Sequence, residues 1–228
     1  TVQRVDTANP IQVKVEAIVG VGDIIRTDAT GRARITFFSD GVDTELLPNT
    51  EYRITRFEGT GDSFNITAEI VLGETVPRLE RLLDSNSSYD VTTPSMALAA
   101  RGTAFRVRVS DGGRAAMLVS VGNVKADAAD NEADVPPGYG IRGEPDQPLS
   151  DVVQATSFEG LDAAFDGCTG TINIEGDVSI NARLGASLDF PRLATLDGSE
   201  ISNLMGKSES GDWYRIQFRG GFAWILSP

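Results

Sequence analysis

Short runs of alternating apolar and polar residues fill the first 75 positions. Ile11-Gln12-Val13-Lys14-Val15 repeats at period two, as does Arg32-Ala33-Arg34-Ile35-Thr36-Phe37. That is the period of a strand with one buried face. Residues 24–27, 52–57 and 64–72 read as further strands. Turn signals separate these runs: Gly20-Val21-Gly22-Asp23, Asp28-Ala29-Thr30-Gly31, Asp40-Gly41, Pro48-Asn49 and Gly59-Thr60-Gly61-Asp62. Asp40-Gly41 is a strong hairpin signal. Strands spaced about 8–12 residues apart suit a sandwich or a coiled, barrel-like β-structure.

The period changes at residues 74–83. Val76, Leu79, Leu82 and Leu83 fall at helical spacing, Thr75 suits an N-cap and Pro77 an early helical position. The pattern predicts a short helical insert. Strand periodicity returns in residues 89–93, 95–100, 104–109, 115–121 and 123–126. Within it Phe105, Val107 and Val109 form a core face and leave Arg106 and Arg108 together on the other. Residues 127–134 read as an acidic loop, and 143–157 as a connector. Phe158, Leu161 and Phe165 allow two helical turns. Strands are expected again at 171–174, 178–182, 187–196, 213–218 and 222–226. The organisation expected is an all-β chain with domains at 1–160 and 161–228.

Composition narrows the chemistry. Residues 1–150 hold 15 basic and 22 acidic side chains, and residues 151–228 hold 5 and 11, which gives the net charge of -13. An acidic surface disfavours nucleic acid and anionic membranes as partners. No apolar run reaches the roughly 18 residues of a membrane span. The chain has no histidine. That removes Ser/His/Asp and Cys/His nucleophile systems and nearly all zinc and non-haem iron sites. Cys168, the one cysteine, can form neither an internal disulfide nor a CxxC motif. It reads as a buried structural thiol or as a point of covalent attachment to another chain or a lipid. Asp127, Asp130, Glu132 and Asp134 place four carboxylates in eight residues. Calcium takes such oxygens, but the spacing lacks the EF-hand pattern, so a solvated acidic loop is the main reading and a calcium site the minor one. No cofactor and no catalytic residue is assigned.

Two stretches resemble known families. Gly22-Asp23-Ile24-Ile25-Arg26-Thr27, Gly31-Arg32-Ala33-Arg34-Ile35-Thr36-Phe37, Asp40-Gly41 and Leu47-Pro48-Asn49-Thr50 resemble the first half of the FecR domain. Thr93-Pro94, Arg101-Gly102-Thr103-Ala104-Phe105-Arg106-Val107, Gly122 and Pro137-Gly138 resemble the second. The resemblance extends over about residues 11–145. It implies a FecR-like β-sandwich or coiled β-module, the periplasmic sensor module of exported bacterial regulators. Residues of about 171–228 resemble a bacterial SH3-like barrel, through Asn181-Ala182-Arg183-Leu184-Gly185, Gly211-Asp212-Trp213-Tyr214-Arg215-Ile216 and Gly221-Phe222-Ala223-Trp224-Ile225. Thr1 is not an initiator Met, so export is left open by the sequence itself and supplied by the resemblance, with a periplasmic or extracellular location.

The function expected is non-enzymatic: an exported accessory or scaffold protein holding other protein subunits, self-assembly included. The alternative is a sensor that binds a ligand or the cell wall, its glycan or its peptide. Binding candidates are Trp213, Tyr214, Arg215, Arg101, Arg106 and Arg108. Alternation puts Trp213, Arg215 and Gln217 on one face and Tyr214, Ile216 and Phe218 on the other. The second face is expected in the core, which leaves Trp213 as a stacking platform or as a residue taken up in packing. Arg101 either staples its turn or meets a ligand.

Overall fold

A computed structural model describes residues 1–38, 42–60, 63–79, 87–167, 170–174, 178–197 and 201–227. The chain divides into two compact units. One comprises Thr1–Pro137 with Arg142–Ser150, and the other Gly138–Ile141 with Asp151–Pro228.

The first unit is built on β1 (Val2–Gln3), β2 (Ile24–Arg26), β3 (Ala33–Phe38), β4 (Val42–Leu46), β5 (Glu51–Thr60) and β6 (Ser63–Leu79). It continues with β7 (Ser88–Thr92), β8 (Ala97–Ala100), β9 (Ala104–Val109), β10 (Ala115–Val121), β11 (Val124–Ala128) and β12 (Asn131–Val135). One sheet runs in the order β12-β11-β8-β7-β6-β5-β2-β1. The other runs β3-β4-β6-β9-β10. Both contain β6. Its first half pairs with β5 and, in parallel, with β7, and its second half pairs with β4 and β9.

Burial along β6 shows how one strand serves two sheets. Phe64, Ile66, Ala68 and Ile70 are buried at even positions, and Thr75, Pro77 and Leu79 at odd ones. The parity changes across residues 71–74. Gly73 lies there at φ +94°, and a Cβ on it would meet the Thr50 Cα at 2.5 Å. Glycine is therefore required both by the left-handed backbone and by the approach of the 49–50 turn. The two sheets meet through Tyr89 on β7. Its hydroxyl lies 2.6 Å from Thr44 Oγ1, and its ring meets Phe37 edge-on at 6.2 Å.

The all-β fold is as expected, with corrections to its parts. Residues 74–79 are not helix but the second half of β6, and residues 80–83 of the expected insert lie outside the described residues. Pairing with β4 on one side and β9 on the other overrides the local helical spacing. Pro77 is accommodated because the β9 ladder covers Gly73, Glu74 and Thr75, then resumes at Arg78. The gap falls where proline has no N–H to give. The run 11–15 forms no strand, and Ile11 alone makes an isolated bridge, to Val2. The expected acidic loop is instead the hairpin β11–β12, which turns through Ala129 and Asp130, both at positive φ. Asp40-Gly41 lies outside the described residues, though β3 and β4 pair antiparallel on either side of it.

The second unit opens with part of β13 (Tyr139–Gly143), β14 (Val153–Gln154) and α1 (Phe158–Asp166). Then follow β15 (Gly170–Asn173), β16 (Ile180–Arg183), β17 (Arg192–Leu196), β18 (Ile201–Lys207), β19 (Trp213–Phe218) and β20 (Gly221–Leu226). Its sheet runs in the order β15-β18-β19-β20-β16-β17. One face builds a core of Ile174, Ala182, Leu196, Ile216, Ala223 and Ile225, with Tyr214 and Phe218 packed against it. The helix expected from Phe158, Leu161 and Phe165 is present, and these residues form its buried face together with Ala164. Ser157 caps it by accepting from the Gly160 N–H. It lies against β18 so closely that a Cβ on Gly206 would fall 1.7 Å from the Ala164 carbonyl oxygen.

Candidate functional site

The β19–β20 hairpin fixes what each face of the second sheet presents. Directly opposed residues share a face. The pairs Tyr214–Ile225, Ile216–Ala223 and Phe218–Gly221 look into the core. The pairs Trp213–Leu226, Arg215–Trp224 and Gln217–Phe222 look the other way. The expected core face, Tyr214, Ile216 and Phe218, is the observed one.

Of the two roles left open for Trp213, an exposed platform or a packed residue, the opposite face shows the packed one. Trp213 retains 7% of its surface, Arg215 6% and Trp224 none. Arg215 is the centre of this arrangement. Its Nε donates to Asp151 Oδ2 at 3.0 Å, and its guanidinium lies 4.9 Å from the Phe165 ring and 3.5 Å from the Phe222 ring. A planar, weakly hydrated cation suits such a stack between aromatic faces. With Asp151 as counter-charge, Arg215 pins α1 and the 151–155 segment to the sheet. Trp213 is buried beside it and offers no exposed ring for a glycan. What reaches solvent from this face is Phe222, 41% exposed, Leu226, 43% exposed, and the exposed Gln217. Tyr214 is half-buried, with Lys207 Nζ 5.4 Å from its ring centroid.

Sequence reasoning did not single out Phe222, Leu226 or Asp151. The signal for the first two was present. Phe222, Trp224 and Leu226 alternate on one strand, and pairing that strand with 213–218 through the Arg219-Gly220 turn puts them on the face of Trp213 and Arg215. Asp151 carries no comparable signal, because its partner lies 64 residues away.

The other candidates lie in the first unit. Arg106 donates through Nε and Nη2 to Glu74 Oε1, at 3.0 and 2.5 Å. Arg108 stands directly opposite Glu74 in the β6–β9 ladder. These two arginines therefore share a face that already holds a carboxylate, an ion-paired surface rather than an open anion site. Arg101 is exposed in the turn that follows β8. Asp127, Asp130, Glu132 and Asp134 lie along the β11–β12 hairpin. Lys125 Nζ is 2.7 Å from Glu132, and Asp134 stands opposite Lys125 in the ladder. Among the described residues no three acidic or cysteine side chains converge as metal ligands, so the minor calcium reading has no geometry behind it.

Asp23 and Glu209 are among the carboxylates that their surroundings hold low. Asp23 is 4% exposed and accepts from the Gly20 N–H at 3.0 Å, the Val5 N–H at 3.3 Å and Arg4 Nη1 at 2.6 Å. Burial pushes its carboxyl up, and these donors together outweigh burial, so Asp23 titrates below the ordinary aspartate value. Glu209, in the turn between β18 and β19, accepts from the Thr156 N–H and hydroxyl and from the Ser157 hydroxyl at 2.6 to 2.8 Å. Burial again pushes up and the donors outweigh it, so Glu209 is held low at the start of α1. Burial raises the hydroxyls of Tyr52 and Tyr89 above the ordinary tyrosine value. Asp23 and Glu209 each tie separate segments of the chain together. No helix among the described residues is long and apolar enough to cross a membrane.

Comparison with known proteins places the first unit. Residues 23–125 match the family model described as FecR protein, which confirms the FecR domain over that stretch. No curated protein matches the chain. Two solved structures, both described as candidate anti-sigma factors from Parabacteroides distasonis ATCC 8503, are similar to it. One is 18% identical over 68% of this chain and 68% of its own, with a TM-score of 0.48. The other is 15% identical over 90% of this chain and 99% of its own, with a TM-score of 0.49.

Proposed function

We propose that this chain, with its FecR domain at residues 23–125, is a non-catalytic accessory protein of an exported bacterial assembly, where it holds a protein partner. The FecR match is the observation that carries the reading, because FecR-type modules serve regulation and protein contact rather than chemistry. The side-chain arrangement agrees with it. Asp23, Glu74, Glu209 and Arg215 are all engaged in holding strands, turns and the helix together.

We further read residues 170–227 as an SH3-like module. Supporting this are the three-strand meander β18–β19–β20 and the return of β20 to pair with β16. Its contact surface is the exposed edge of the Arg215 face: Phe222 and Leu226, with Gln217 beside them. Aromatic and aliphatic anchors backed by a buried arginine are the composition of an interface centre rather than of a solvated face. The wall-binding alternative needs Trp213 in an open groove, and Trp213 is buried.

Placing a photo-reactive amino acid at Gln217 tests the reading in the native host. A discrete protein adduct is expected, and Leu226→Asp, at a side chain 43% exposed and outside the Arg215 stack, should abolish it without lowering the melting temperature of the purified chain. Binding to purified cell-wall material by the parent protein, with no protein adduct, would replace this reading with the sensor alternative.

A further inference from the structure

The stretch between β1 and β2 has the sequence of a strand and none of its bonds. Ile11-Gln12-Val13-Lys14-Val15 alternates at period two. Only Ile11 is tied down, exchanging two backbone hydrogen bonds with Val2 at 2.9 and 2.7 Å. From Gln12 to Val19 the backbone forms no hydrogen bond to the rest of the described chain. Val15 is 91% exposed and Ile18 89% exposed. A lone exposed apolar residue is ordinary on a protein surface. Two β-branched residues almost wholly in water, on a backbone with every donor and acceptor open, form the kind of template that proteins normally cover.

The same molecule carries an edge of matching pattern. Among the described residues β3 is paired on one side only, with β4. Its inward residues are Ala33, Ile35 and Phe37, and its exposed ones are Arg34 and Thr36. Phe37 is half-buried and stacks at 6.0 Å on Phe57, which is 43% exposed, so the rim of this edge is apolar. The contrast with β12 is instructive. That edge strand bears Glu132 and Asp134, the charges that discourage strand addition. β3 bears one outward charge, Arg34, already ion-paired to Asp43 of β4, and neither a proline nor an inward charge guards its edge.

We propose that residues 11–17 of one copy add as an antiparallel strand to the β3 edge of a second copy. The outer residues distinguish the registers, with Arg34 already ion-paired to Asp43 of β4. With Val15 opposite Ile35, Glu16 faces Arg34 and Lys14 faces Thr36 on the outer side. Val13 then meets Phe37 and Ala17 meets Ala33 on the inner side. A slip of two residues that puts Val13 opposite Ile35 sets Lys14 against Arg34, a like-charge pair directly opposed. A strand given by one copy and taken by another closes a dimer when the exchange is mutual and continues as a chain of copies when it is not. This inference does not depend on the identity of any other partner.

The test uses the full chain. Sedimentation across a dilution series should show the parent protein at twice the monomer mass or more. Val13→Pro, which removes a ladder donor, and Val15→Lys should return it to monomer with the far-ultraviolet spectrum unchanged. Two single variants, Lys14→Cys and Thr36→Cys, each in a Cys168→Ser background, should form a disulfide-linked pair when mixed and oxidised. A parent chain that stays monomeric throughout would overturn the proposal. So would a cross-link that forms only within one chain carrying both cysteines.

Discussion

Asp23 shows how much one side chain can organise. It sits within the Gly22-Asp23 step of the FecR pattern, and its carboxylate collects Gly20, Val5 and Arg4 from three points of the chain. With the carboxyl almost fully buried, each bond to the charged form counts for more than it would in water. Asp23→Asn keeps the shape and loses the charge. It should cost about 1.5–3 kcal/mol at neutral pH, the range for hydrogen bonds to charged groups. The sign with pH follows from the lowered folded-state pKa. Stability from this group is fully present above the unfolded value of about 3.9 and is lost as pH falls through the lower folded value. The gap between parent and variant in urea unfolding should therefore be constant from pH 7 to about pH 5 and close below about pH 4. A gap that persists unchanged in acid would mean that the charge of Asp23 is not what holds these three segments.

At the level of the element, β6 is the decisive one. Its 17 residues belong to two sheets, and the change of parity at Gly73 lets both halves bury their apolar side. Gly73→Ala must put a Cβ in the left-handed region and 2.5 Å from Thr50, so either the turn at residues 49–50 moves or the strand straightens. Strain of this type, on top of the backbone penalty, is expected to cost about 2–4 kcal/mol. A thermal melt of Gly73→Ala matching that of the parent would show that the strand can bend there without glycine. The first half of β6 was legible in the sequence because Phe64, Ile66, Ala68 and Ile70 alternate cleanly. The second half was not, because Val76, Leu79, Leu82 and Leu83 also fit a helix and only the two flanking strands decide between them. The helix α1 was legible from three apolar positions, and its Ser157 cap came only with the structure. The strand β18 was missed, since Leu204, Met205 and Gly206 give no period to read, and Gly206 is there for the Ala164 carbonyl rather than for the strand. The face of Trp213 was read correctly, and of the two roles left open for it, platform or packing, the structure has it packed. Alternation says which residues share a side, whereas α1 and the Phe165–Arg215–Phe222 stack, which close that side, come from elsewhere in the chain.

Across the whole molecule, the division into units does not follow the chain in one cut. Gly138–Ile141 belongs with residues 151–228, although Arg142–Ser150 between them belongs with the first unit. The reason lies in specific contacts of those few residues. Tyr139 and Gly140 pair with Gln154 and Val153, the Ala155 N–H donates to the Gly138 carbonyl at 3.1 Å, and the Tyr139 ring meets Phe190 edge-on at 6.0 Å. A rigid Pro136-Pro137-Gly138 step leads into them. A fragment of residues 151–228 thus lacks the strand that pairs with β14 and the ring that meets Phe190, while a fragment of residues 138–228 keeps both. With a unit this small, the loss of one strand pairing and one ring contact is a large share of the total stability. The longer fragment should melt cooperatively, and the shorter one should melt at a visibly lower temperature or show no cooperative transition by circular dichroism. Equal midpoints for the two would mean that β14 and α1 hold to the sheet without Tyr139.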